Sequence, residues 1–229
     1  MSKKKDPLMT GLSASGGKSR TEPLRDSAAP ERPAWADLIP DWARDSLPEI
    51  LARFDGWKVD QLFESLSPHR FSHSLSVTAY ASHLARLYGL DVARAEEAAL
   101  FHDCAKGLSL KDMRRIAKKH HLTSDPAMLE SGALLHSVVG AWVARKKYKV
   151  TDPEVLDAIR YHNTGHAGMS RLAMCVCLAD SIEPTREPYP LLEQVRDLAE
   201  VSLERALLLS LEGTAEYVAA KGKYLHPQT

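Results

Sequence analysis

Cysteine is scarce in this 229-residue sequence: there are three, an odd number without framework spacing. That excludes a disulfide-stapled scaffold and fits a reducing compartment. Cys175-x-Cys177 lacks the C-x-x-C spacing of a redox pair or zinc knuckle, so both read as helix-packing residues. Net charge is also missing, because Lys+Arg and Asp+Glu number 30 each. No overall field therefore recommends a nucleic acid or a membrane surface as partner. No apolar run approaches the length of a membrane span, and the basic N-terminus has no apolar signal-peptide core. These absences point to the cytoplasm. There is no β-hairpin signal, no G-x-G-x-x-G, no P-loop and no internal repeat. What is present is 44% apolar and 26% charged, an ordinary soluble composition, with length enough for one large core or two small ones. Histidine is generous at ten, which makes a metal site worth seeking.

Taken in order, residues 1–33 are rich in Lys, Ser, Gly, Pro and Arg and lack a sustained apolar period. They cannot bury enough surface to order themselves and read as a disordered basic tail. Residues 34–61 read as a helical extension, with Trp35, Leu38, Trp42, Leu47, Ile50 and Phe54 on short amphipathic helices broken by Pro40 and Pro48. Residues 62–229 form the main domain, and every periodic segment in it is helical. Ser67-Pro68 starts a helix that runs to about Tyr88 and is closed by Gly89. Asp91 caps the next helix, which ends in His102-Asp103. Leu108 to about His121 is a basic surface helix. A turn at Ser124-Asp125-Pro126 leads to a helix holding His136, Val139, Gly140 and Val143, where Gly140 admits a close backbone. Asp152-Pro153-Glu154 starts a helix ending near His162, Asn163-Thr164-Gly165 is a turn, and a further helix carries Asp180 and stops at Pro184. Residues 191–221 read as amphipathic helix and 225–229 as a short tail. The fold class is all-α.

The polar residues on these helices repeat one pattern. Ala95, Ala98, Ala99 and His102 fall at i, i+3, i+4 and i+7, and so do Val155, Ala158, Ile159 and His162. Ala173, Val176, Cys177 and Asp180 do the same, while His73 and His136 lie on core stripes of their own. One buried imidazole is more often structural than functional. Six polar residues on five helices, His73, His102, Asp103, His136, His162 and Asp180, would be a costly set unless they converge. Imidazole and carboxylate without thiolate suit iron, manganese, zinc or another divalent ion, and six ligands exceed the needs of one tetrahedral site.

The order His73…His102-Asp103…His136…His162…Asp180 resembles the HD-domain metallohydrolase superfamily. Further stretches are similar to the bacterial YqeK family of symmetrical diadenosine tetraphosphate hydrolases. They are Arg70-Phe71-Ser72-His73-Ser74-Leu75, Leu100-Phe101-His102-Asp103-Cys104-Ala105-Lys106, His162-Asn163-Thr164-Gly165 and Ala179-Asp180-Ser181-Ile182-Glu183-Pro184-Thr185-Arg186. The resemblance runs from about Leu62 to the C-terminus and makes residues 62–229 an HD helical bundle around a central dinuclear metal site. It implies one ion on His73, His102, Asp103 and Asp180, a second on His136 and His162, and Asp103 as the bridge. It implies two divalent ions, iron first, with manganese or another ion as substitutes.

The implied reaction is hydrolysis of diadenosine tetraphosphate to two ADP by a metal-activated water. Asp103 and Lys106 are then the catalytic candidates, and Arg70, Lys106, Thr164, Gly165 and Arg186 the substrate-binding ones. The implied partner is a dinucleoside polyphosphate, with no membrane, no nucleic acid, and room for a homodimer. The alternatives are an HD phosphohydrolase of another nucleotide, a di-iron oxygenase, or a non-catalytic HD module that binds nucleotides. Two positions depart from the family pattern: Asn163 where Thr is usual, and His166 where a residue such as Arg is usual. His166 follows His162 by four residues, but Gly165 breaks the helix between them, so it is not counted as a ligand. His69, beside Pro68, reads as a surface or supporting residue.

Overall fold

Helices begin where short polar side chains can cap them. In the computed structural model, which describes residues 33–229, the Ser67 side chain accepts the Arg70 N–H at the start of a 20-residue helix. Asp91 accepts from Arg94 N, and Asp152 accepts from Glu154 N and Val155 N, each at the head of its own helix. The expected tail, apart from Pro33, lies outside the described residues. Two short 3-10 turns, Ala36–Leu38 and Asp41–Ala43, lead into α1 (Leu47–Leu51), α2 (Gly56–Ser65), α3 (Pro68–Leu87) and α4 (Val92–Phe101). There follow α5 (Leu110–Lys119), α6 (Pro126–Glu130), α7 (Gly132–Lys147), α8 (Pro153–Tyr161), α9 (Arg171–Ile182), α10 (Leu192–Ala199) and α11 (Leu203–Ala220). Every regular element among the described residues is helical, as the periodicity requires.

The core lies where α3, α4, α7, α8 and α9 meet. Phe71, Leu75, Leu84, Leu100, Phe101, Leu135, Ile159 and Leu178 are fully buried there, and each large apolar side chain so buried stabilises the fold by about 1.5–3 kcal/mol. Residues 33–66 add to the same core through Leu47, Ile50 and Leu62. Phe54 meets Phe101 edge-on at 6.4 Å, and Phe63 meets Phe71 at 5.4 Å. Glu96 is buried on α4 and is satisfied by Arg53 Nη1 at 2.7 Å and by the Ser82 hydroxyl at 2.7 Å.

Two glycines set the distances that matter for the site. A Cβ at Gly140 would lie 3.3 Å from the His102 carbonyl oxygen, so α7 crosses directly against the end of α4. A Cβ at Gly107 would lie 1.9 Å from the Ser65 carbonyl oxygen, so the turn after Asp103 rests on the end of α2. Elsewhere the structure divides what the sequence reads as continuous. Ser131, in extended conformation, separates a five-residue α6 from α7, with Asp125 capping α6 through Ala127 N and Met128 N. Ser202 starts α11 by accepting from Arg205 N, so residues 191–221 are two helices. The C-terminal stretch is docked rather than loose: His226 is buried and its Nε2 lies 2.9 Å from Asp125 Oδ2.

Candidate metal centre

Five helices deliver the six expected polar residues to one place. His73 projects from α3, His102 and Asp103 follow the last turn of α4, His136 projects from α7, His162 caps α8, and Asp180 sits in the last turn of α9. Three overlapping trios have their ligand atoms within 4.8 Å of one another: His73–His102–Asp103, His102–His162–Asp180 and Asp103–His136–His162. Asp103 is shared between sides. Its Oδ1 lies 3.3 Å from His136 Nε2 and 3.7 Å from His162 Nε2, while its Oδ2 lies 3.8 Å from His102 Nε2. Asp180 Oδ1 lies 2.9 Å from His73 Nε2 and 3.7 Å from His102 Nε2.

Backbone carbonyls fix which ring nitrogens face inward. His102 Nδ1 donates to the Ala99 carbonyl at 2.7 Å, and His162 Nδ1 donates to the Ile159 carbonyl at 2.7 Å. In both rings the Nε2 lone pair is thereby turned to the centre. Burial pushes His102 down to about 4 against the pull of Asp103 and Asp180, and burial likewise takes His136 to about 4. Burial would raise Asp103, yet His102, His136 and His162 around it hold it well below the usual carboxylate range. Asp180 is held low against burial by His73 and His102. The result is neutral imidazole lone pairs and ionised carboxylates aimed at one another. His102 Nε2 is buried without a hydrogen-bond partner, and His136 Nε2 faces His162 Nε2 at 3.0 Å. His136 Nδ1 is buried without a partner as well, and the convergence of four imidazoles on two carboxylates, nitrogen and oxygen without sulfur, is a donor set that fits a divalent ion.

His73 differs from the other imidazoles. Burial pulls it down, but hydrogen bonds from both ring nitrogens to carboxylates outweigh that and raise it to about 9. Its Nδ1 lies 3.1 Å from Glu183 Oε1. Glu183 is buried and also accepts from the Ser76 hydroxyl and from Thr185 N at 2.6 Å. Glu183 thus orients His73, a role that sequence reading did not assign although the residue stands in a quoted motif. The signal was its place one helical turn after Asp180.

Above the cluster opens a cleft of about 480 Å³. Three expected basic residues line it. Arg70 Nη1 lies 3.5 Å from Asp103 Oδ2, Lys106 Nζ 3.8 Å from Asp103 Oδ1, and Arg186 Nη1 3.8 Å from Asp180 Oδ1. The turn after His162 contributes Asn163 to the lining, and Asn163 Nδ2 donates to the Ala133 carbonyl at 2.9 Å. Thr164 is buried with its hydroxyl on the Gly165 carbonyl, and Gly165 packs against Leu211 and Met169, so neither is brought to the cleft wall. His69 is exposed on the cleft lining. His166 is exposed and its ring lies 4.5 Å from that of Tyr161, outside all three trios.

A family model described as "HD domain" matches residues 70–185, a span that contains all six clustered residues. A protein of Halalkalibacterium halodurans named "Bis(5'-nucleosyl)-tetraphosphatase, symmetrical" is 38% identical over 164 residues, covering 72% of this chain and 87% of that protein. Its namesake in Bacillus subtilis is 37% identical over 168 residues, covering 72% of this chain and 88% of that protein. The chain belongs to the HD-domain superfamily, in the YqeK family. A solved structure from Clostridium acetobutylicum, described as a predicted HD superfamily hydrolase involved in NAD metabolism, agrees with the fold. It has a TM-score of 0.70 and 33% identity, and the match covers 76% of this chain and 92% of that one. Membership in the HD superfamily implies use of divalent metal, and the His/Asp cluster at the junction of α3, α4, α7, α8 and α9 is where this HD protein could hold it. No helix among the described residues is long and apolar enough to cross a membrane.

Proposed function

We propose that this protein hydrolyses diadenosine tetraphosphate at the centre of its phosphate chain, releasing two ADP. The observation that carries the reading is the placement of three cationic side chains over a buried cluster of imidazoles and carboxylates, in one cleft. The likeness to the two symmetrical tetraphosphatases supports the choice of substrate. His73, His102, Asp103 and Asp180 would hold one divalent ion and His136 and His162 a second, with Asp103 shared between them. Iron is the favoured metal and manganese a substitute. When bound, the ions supply Lewis acidity to the phosphoryl oxygens and a water acidic enough to yield hydroxide near neutral pH.

The remaining work belongs to side chains. A tetraphosphate is strongly anionic, and Arg70, Lys106 and Arg186 line the cleft to receive its oxygens. Lys106 Nζ, placed beside Asp103, offsets charge that builds up on the oxygens of the reacting phosphorus. Arg186, beside Asp180, steadies the departing ADP through its phosphates. Glu183 and the Ala99 and Ile159 carbonyls keep their imidazoles in the orientation that presents Nε2 inward. Thr164 and Gly165 shape the turn that sets Asn163 at the cleft. The three cysteines are free and buried, which suits the reducing cytoplasm as the working compartment.

The test is chromatography of an early time point with diadenosine tetraphosphate, alongside metal analysis of the purified protein. ADP as the sole nucleotide product, with about two metal ions for each chain, is expected. Equal AMP and ATP would overturn the central cut.

A further inference from the structure

Next to the charged cleft lies a second cavity of about 590 Å³, within the range of small-ligand sites. Its walls are mostly apolar, with Tyr189, Leu191 and Tyr217 facing it and Ser210 and Thr214 supplying hydroxyls. It adjoins the metal cleft in two ways. Arg186 lines both spaces. Ser181, which also lines the apolar cavity, directly follows Asp180, and its carbonyl accepts the Tyr189 hydroxyl at 3.3 Å. The wall of one space thus begins a single residue from the metal-facing carboxylate of the other.

The substrate has the matching division. A nucleotide carries a polyanionic chain at one end and a flat aromatic base at the other. None of the described residues lining the charged cleft is Tyr, Trp or Phe; its rings are the smaller imidazoles of His69 and of His73, the latter held between Asp180 and Glu183. The adjoining cavity has two tyrosines, and base–aromatic stacking does not depend on which base is present. We infer that the cavity between the end of α9, the 183–191 loop and α11 is the nucleoside subsite. One adenosine of the dinucleotide stacks there, with Arg186 on the phosphates at the boundary. This rests on the proposed reaction for the identity of the ligand, while its own content is which surface takes the base.

The experiment measures binding to metal-loaded protein by calorimetry, with ADP and inorganic pyrophosphate as probes. Thr214→Trp fills the cavity and Tyr217→Ala removes a ring; Tyr217 is 59% exposed, so its loss leaves the core intact. Both variants are expected to weaken ADP by about ten- to a hundredfold, the worth of one base–aromatic stack, and to keep pyrophosphate affinity. ADP affinity unchanged in both variants would overturn the subsite, and so would an equal loss for both probes. Wild-type protein that cleaves no diadenosine tetraphosphate, with both variants still weakened toward ADP and unchanged toward pyrophosphate, would refute the reaction and support the subsite.

Discussion

Both oxygens of Asp103 are in use, and no other side chain of the cluster meets so many partners. Oδ1 faces His136, His162 and Lys106, and Oδ2 faces His102 and Arg70. Asp103→Ala therefore removes what the two halves of the cluster have in common. Activity is expected to fall to background and bound metal to drop, read by elemental analysis; full turnover in that variant would refute the shared-ligand role. Glu183 acts one step further out, since it reaches the centre only through His73 Nδ1. Glu183→Ala leaves every inward-facing nitrogen and oxygen in place but frees the His73 ring. A loss of roughly 10- to 100-fold in metal affinity is expected, the usual effect of removing a group that orients a ligand. The titration of metal-stripped protein decides it, and an unchanged Kd would show that Glu183 serves packing alone.

Among the elements, the turn after α4 is tightly held, because Asp103 and Lys106 lie on it and Gly107 ends it against α2. The end of α2 is pinned as well, for Ser65 Oγ receives a hydrogen bond from Lys147 and another from Tyr148 at 3.3 Å. The Ser65 carbonyl cannot easily yield to a new methyl group, so Gly107→Ala is expected to destabilise by about 1–3 kcal/mol. Denaturant unfolding would measure that loss, and a variant as stable as the parent would show that the turn can move. The helices that carry the cluster were legible because their caps are local: Ser67, Asp91 and Asp152 each accept an N–H within three residues. The inward stripes were legible for the same reason, as period alone places His102, His162 and Asp180 with Ala and Val neighbours. What period cannot supply is the partner across space. Glu183 is satisfied in the interior by His73 and Ser76 of α3, Glu96 by Ser82 of α3 and by Arg53, and His226 is paired with Asp125, all partners far away in sequence. The break between α10 and α11 was missed because both flanks share one amphipathic pattern.

For the molecule as a whole, the cluster makes metal-free stability depend on pH in two opposed directions. His73 sits at about 9 against an ordinary 6.5, because Asp180 and Glu183 outweigh its burial. The folded chain therefore holds a proton that the unfolded chain releases. That contribution is complete below 6.5 and is lost as pH rises through about 9. His102 and His136 are pushed by burial to about 4, so below 6.5 the unfolded chain takes up protons that the folded chain refuses. Their effect is a loss of stability as pH falls from 6.5 toward 4. Asp103, Asp180 and Glu183, all held below the ordinary carboxylate range, add to the loss at the acid end. Metal-stripped protein should accordingly melt highest near pH 6.5, the ordinary histidine value on which both limbs turn, and lower on either side. Saturating metal changes the alkaline limb, because a ligating His73 must be neutral and no longer carries the proton that unfolding would release. Thermal melts with and without metal, taken across that range, test this directly. A melting temperature of the stripped protein that climbs steadily from neutral to alkaline pH would contradict the pairing of His73 with two carboxylates.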